Sequence, residues 1–144
     1  MQCAHRPLGR WKKIETKFFS VCIPPELKPR KVPSEDSTVW RYVSKEMELT
    51  IDLGHYSEQP PGDNEEPNYH EERLEIDGRK ATLCFFGPTG SVPGNRQNYL
   101  AGAYFSEIGL KETKLAVVAR YSTLDGQSKA QKIFSSIRFK TSRR

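Results

Sequence analysis

The sequence predicts an α+β domain, an antiparallel β-sheet of about six to seven strands with a C-terminal α-helix packed on one face. Three observations predict it. Most of the chain alternates apolar and polar residues with a period of two, the pattern of strands with one wet face. The breaks between these runs are rich in Gly, Pro, Asp and Asn, which suits consecutive strands joined by turns. Near the end the period changes from that of a strand to that of a helix.

"KFFSVCIP" (17–24) sets Phe19, Val21 and Ile23 against Phe18, Ser20 and Cys22, and Pro24-Pro25 ends it. It reads as a strand with two largely apolar faces. "TVWRYVSK" and "EMELTIDLG" follow. In the second, Met47, Leu49, Ile51 and Leu53 oppose Glu46, Glu48, Thr50 and Asp52, so only one face is to be buried. "SEQPPGDNEEPN" (57–68), with three prolines and the acids Glu58, Asp63, Glu65 and Glu66, cannot propagate either regular structure and is expected to be an exposed loop.

"YHEERLEIDGRKATLCFF" (69–86) opens like the H-E-x-x-H helix of a zinc protease, but Leu74 stands where the second histidine is needed. Leu74 and Ile76, then Ala81, Leu83 and Phe85, keep a period of two on either side of Asp77-Gly78, the dipeptide suited to a type I′ turn. The stretch is therefore expected to be a hairpin. After a second exposed loop, "GPTGSVPGNRQN" (87–98), come "YLAGAYFSEI" and "ETKLAVVARYS", two strands joined through Gly109 and Leu110. "DGQSKAQKIFSSIRF" is the helix, with Asp125 as N-cap and a core stripe of Ala130, Ile133, Phe134 and Ile137. The aromatics Phe18, Trp40, Tyr42, Phe86 and Tyr104 imply that the second sheet face is not bare. A short N-terminal helix in "LGRWKKIE" is expected to cover it, which would give an α/β/α sandwich. The 144 residues suit one domain, with flexible ends at 1–13 and 140–144.

No run approaches the ~18 apolar residues of a membrane span. The first residues contain no apolar leader core, so the chain as written reads as cytoplasmic. Were a leader to precede it, Cys3 would be a lipoprotein acylation position and the protein periplasmic or lipid-anchored. The three cysteines are at no metal-ligand spacing, and Cys22 and Cys84 are expected to be free core residues. The net charge of +5 is segregated: residues 1–32 carry eight Lys/Arg against two Glu, residues 33–110 six against fourteen acids, and residues 111–144 nine against two. Two basic ends around an acidic middle argue against a uniformly basic nucleic-acid surface.

The strand "FFSVCIP", the turn "IDGRKA" and the closing helix "SKAQKIFSSIRF" together resemble the PsbP-like fold family over residues 17–139. That family includes an extrinsic photosystem II subunit, a Ran-binding import factor and small standalone bacterial proteins, and the last are the nearest likeness. The resemblance implies an antiparallel sheet between helices and a binding or assembly role without catalysis. The chain is shorter than the photosynthetic members, and no photosystem or Ran role is carried over.

His55 and His70 bracket the acidic loop. If residues 46–54 and 70–77 paired, the two rings and nearby carboxylates could hold a divalent metal. The competing expectation is two exposed strand-end histidines and no metal. No G-x-S-x-G or Walker sequence occurs, and neither Cys22 nor Cys84 has an adjacent base. The leading expectation is a non-enzymatic binding or accessory domain that meets a protein partner without a cofactor. Glu58, Asp63, Glu65 and Glu66 would form its partner-facing surface. The alternatives are a small-ligand or enzymatic pocket between sheet and helix, and weak nucleic-acid binding through the basic termini.

Overall fold

Side-chain alternation gives the main sheet two unlike faces, and its apolar face organises the molecule. The computed structural model describes residues 10–31, 37–54, 66–88 and 99–140. Its elements are β1 (Lys12–Glu15), β2 (Phe19–Ile23), β3 (Lys28–Arg30), β4 (Ser37–Val43), β5 (Met47–Gly54), β6 (His70–Ile76), β7 (Arg79–Phe86), β8 (Tyr99–Phe105), β9 (Lys114–Tyr121), α1 (Asp125–Ser135) and β10 (Arg138–Phe139). Seven strands form one sheet in the order β3-β4-β5-β9-β8-β7-β6, and three form a small sheet in the order β1-β2-β10. Every adjacent pair is antiparallel. The α+β class is thus established: a mainly antiparallel protein with one C-terminal helix.

Register explains the core. Ile51 lies opposite Val117, Val117 opposite Ala103, and Ala103 opposite Leu83, so one apolar row crosses four strands. This face is covered by Ala130, Ile133 and Phe134 of α1 and by Phe19, Val21 and Ile23 of β2, all buried in one cluster. Each of the larger of these side chains contributes about 1.5–3 kcal/mol when removed from water. Two edge-on aromatic contacts lock the small sheet onto the large one: Phe19 against Trp40 at 5.4 Å and Phe139 against Phe105 at 5.1 Å between ring centroids. Ser136, just past the helix, accepts the Cys22 N–H at 2.8 Å and so ties α1 to β2.

The hairpin is as expected. Ile76 pairs with Arg79 across a two-residue turn in which Asp77 and Gly78 have φ of 51° and 80°. Asp77 does more than turn the chain. Its carboxylate accepts the Phe139 N–H at 2.7 Å and anchors β10 to the hairpin tip.

Several expectations are corrected. Residues 12–15 of "LGRWKKIE" form β1, not a helix, and pair with β2 on the covered side of the sheet. Trp11 and Ile14 pack on the main core. No helix lies on the second face among the described residues, so the α/β/α arrangement gives way to helix plus small sheet on one side. Of the ends expected to be flexible, Lys12 and Lys13 lie in β1 and the Lys140 N–H bonds to the Phe18 carbonyl at 2.9 Å, while residues 1–9 and 141–144 lie outside the described residues. Helix α1 ends at Ser135, and Arg138 and Phe139 leave it to pair with β2. Asp125 is its first residue, not its N-cap, which is Leu124. The main sheet has seven strands, within the expected six to seven, and among the described residues β1, β2 and β10 add a small second sheet that was not expected; β1, β3 and β10 are too short to announce themselves. Cys84 is a buried thiol outside any disulfide, as expected, but Cys22 is disulfide-bonded. Cys22 sits on the face of β2 opposite Phe19, Val21 and Ile23 and packs with Trp11 outside the main cluster. Cys3 lies outside the described residues, as do 57–65 and 89–98 of the two expected loops.

Phe134 has no exposed surface, whereas Lys132 points to solvent. Phe134→Ala should cost about 3–5 kcal/mol, a large share of the ~5–15 kcal/mol available to such a domain. Lys132→Ala should leave the melting temperature unchanged, and equal effects in thermal denaturation would contradict the helix assignment. Gly78→Val should also destabilise the fold by about 1–2 kcal/mol in urea titration, because its φ of 80° is disfavoured for a β-branched residue. Wild-type stability in that variant would contradict the turn.

Candidate functional site

The premise of a His55–His70 metal site fails on strand order. β5 pairs with β4 and β9, while β6 lies at the far edge beyond β9, β8 and β7. His55 is outside the described residues. His70 is exposed at the start of β6, and its Nε2 lies 2.9 Å from the Glu72 carboxylate. Its ring stacks on Phe85 at 6.2 Å. Residues two apart on a strand share a face, so Glu72 is the group that orients the ring, which the sequence reading missed. Among the described residues no group of three or more His, Cys, Asp or Glu is placed to hold a metal. Of the acidic-loop residues, Glu58, Asp63 and Glu65 lie outside the described residues, and Glu66 is half-buried just before β6.

The second face of the main sheet carries its own apolar cluster of Cys84, Phe86, Leu100, Tyr104, Ala116 and Val118. Tyr69 stacks on Phe86 at 6.3 Å. The cluster is buried, so this face offers no broad apolar platform.

The terminal strands do meet, since β1 and β10 both pair with β2. Their positive charge is interrupted by Glu15, which pairs with Lys140 at 2.8 Å and Lys13 at 3.9 Å. The Lys140 ammonium, bonded to it, holds the Glu15 carboxyl below its ordinary value, with Lys13 adding to the effect.

Two open features remain. The first is a groove of about 240 Å³ where the start of α1 meets the end of the main sheet. Leu27, Met47 and Tyr121 supply its apolar part, and Glu26, Lys45 and Lys129 its charged part. Lys129 reaches from α1 to Glu26 at 3.2 Å. Helix and sheet approach closely here, since a Cβ on Gly126 would fall 2.5 Å from the Tyr121 ring. Burial pushes the Tyr121 hydroxyl up to about 12, with Tyr99 and Cys84 adding in the same direction.

The second feature is β6. Among the described residues it is an edge strand hydrogen-bonded to β7 alone, and of its side chains only Ile76 is buried. The other edge of the same sheet, β3, has three residues and contains Pro29. A proline and a short length blunt that edge. β6 is longer, and among the described residues only charge protects it: Glu71, Glu72, Arg73 and Glu75 surround Leu74, which is 39% exposed. Arg73 is free to choose partners, being 82% exposed and only loosely paired with Glu71 at 3.4 Å. A shallow concavity of about 420 Å³, lined in part by Arg73, Glu75, Lys80 and Tyr104, opens beside it. The signal for an edge was present in "HEERLE", where charge falls on both faces of the strand.

No model of a known protein family matches the chain, and no curated protein matches it. No helix among the described residues is long and apolar enough to cross a membrane.

The raised Tyr121 gives a pH dependence with a definite sign. The unfolded tyrosine ionises near pH ~10, whereas the folded one holds its proton to about 12. Between those values the unfolded chain binds fewer protons, so stability falls as pH rises. The contribution is fully present below the unfolded value and lost through the folded one. In urea titrations at stepped alkaline pH, Tyr121→Phe should lose stability less steeply than wild type. Equal slopes would contradict the assignment.

Proposed function

We propose that this chain is a non-enzymatic binding or accessory domain of PsbP-like build that meets a protein partner along the open β6 edge. The observation that carries the reading is the edge itself: a seven-residue strand, paired on one side and exposed from His70 to Glu75 except for the half-buried Glu71. An added strand would gain main-chain hydrogen bonds from such an edge and selectivity from its alternate side chains. Glu58, Asp63, Glu65 and Glu66 precede β6 closely in sequence and belong to the same partner-facing proposal. The disulfide at Cys22 favours an oxidising compartment such as the periplasm.

A second reading, a small-ligand site, is favoured by the groove between α1 and the sheet. Its 240 Å³ falls short of the ~300–1,000 Å³ of ligand pockets, so the edge is preferred.

Site-specific photo-crosslinking tests the first reading. A photoreactive residue in place of Leu74 should capture protein in cells of the source organism. The same group at Leu124, 65% exposed at the start of α1, should not. Equal yields at both positions would refute the edge as the binding surface.

A further inference from the structure

We infer that the partner of the β6 edge is a second copy of this chain, added antiparallel about a two-fold axis midway between Leu74 and its own copy. The inference rests on the reading of β6 as a binding edge and names its occupant. A two-fold axis normal to the sheet keeps each face of one copy with the same face of the other, so directly opposed residues must share a face. On β6, His70, Glu72, Leu74 and Ile76 lie on the core face with Phe85, Leu83 and Ala81, and Glu71, Arg73 and Glu75 lie on the other. The axis must therefore lie midway between one residue and its own copy, which face each other.

Charge selects which one. Centred on Arg73, the guanidinium opposes itself and Glu71 opposes Glu75. Centred on Glu71, Glu72 or Glu75, a carboxylate opposes itself. Centred on Leu74, the exposed leucine meets its copy, Arg73 of each chain meets Glu75 of the other, and Glu72 meets Ile76. Within a single chain Glu75 already lies opposite Lys80 on β7. The dimer would therefore continue a row of alternating charge, Lys80, Glu75 and then Arg73 of the second copy. The pairing stops after Ile76 because the chain turns at Asp77, whose carboxylate is held toward Phe139. Opposed unlike charges and a central apolar pair are the contacts that stabilise adjacent strands, and opposed like charges destabilise them. The contact is short against the ~1,200–2,000 Å² of a stable interface, so dimers should form at high protein concentration.

Arg73 and Glu75 are both exposed, so reversing them removes no core contact. Sedimentation equilibrium of the purified chain should show a concentration-dependent dimer. R73E and E75R should each weaken it about tenfold or more, since each turns two attractions into two repulsions. An equimolar mixture of the two should restore dimers, because the acidic edge of one then faces the basic edge of the other. The double variant R73E/E75R should restore them alone. A wild-type monomer at all concentrations, or a dimer indifferent to these changes, would overturn the inference. The photo-crosslink at Leu74 separates the two failures. A different protein captured there in cells overturns the dimer and keeps the binding edge, whereas no capture overturns both.

Discussion

The fold depends on covering one apolar sheet face with material from both ends of the chain. Strands β5, β9, β8 and β7 build that face from apolar residues, and seven twisted strands alone would leave it wet. The cover is assembled from β1 and β2 at the N-terminal side and from α1 and β10 at the C-terminal side. It holds together by backbone pairing, Phe19 opposite Phe139 and Ser20 opposite Arg138. The stitches at its margin are polar: Ser136 takes the Cys22 N–H, and Asp77 takes the Phe139 N–H. Both acceptors satisfy backbone groups that the short β2–β10 pairing leaves over, and a buried N–H without a partner would cost about 1–3 kcal/mol.

What could be read from the sequence follows from how many residues share a pattern. β5 carries eight residues of uninterrupted alternation, and its burial alternates in the same way. The hairpin was legible because Asp-Gly sits between two runs in phase, and α1 because three buried residues fall on one stripe. β10, with two residues, and β3, with three, hold too few positions for any period to show. Their existence is decided by long-range backbone pairing, which leaves no mark on side-chain type. "LGRWKKIE" misled for a related reason. A strand of four residues with Ile14 on it and Trp11 just before it satisfies helical spacing as readily as strand spacing.

The candidate site was less legible, and strand order is the cause. Sequence neighbours β5 and β6 suggested themselves as a pair, but β9, β8 and β7 lie between them in the sheet. That displacement separates the strand bearing His70 from the strand that leads to His55. It also turns "HEERLEI" from one half of an interior pair into an edge. Cys22 was misread because apolar neighbours in sequence were taken for apolar neighbours in space. On a strand its immediate neighbours Val21 and Ile23 point to the other face.

The two edges of the main sheet are guarded in different ways, and the difference matters for function. Pro29 on β3 removes a backbone donor, which discourages every partner strand alike. The glutamates and arginine of β6 leave its donors and acceptors in place. They oppose an incoming strand only where like charges meet, and they favour it where unlike charges meet. Charge on an edge is thus a filter on register and partner, while proline is a barrier. Screening by salt would weaken such a filter at exposed positions, over a Debye length of about 8 Å at physiological ionic strength. With Leu74 the exposed large apolar residue of this edge, the β6 surface combines a central hydrophobic contact with flanking charges that set alignment. An edge built only to stay soluble has no need of that leucine.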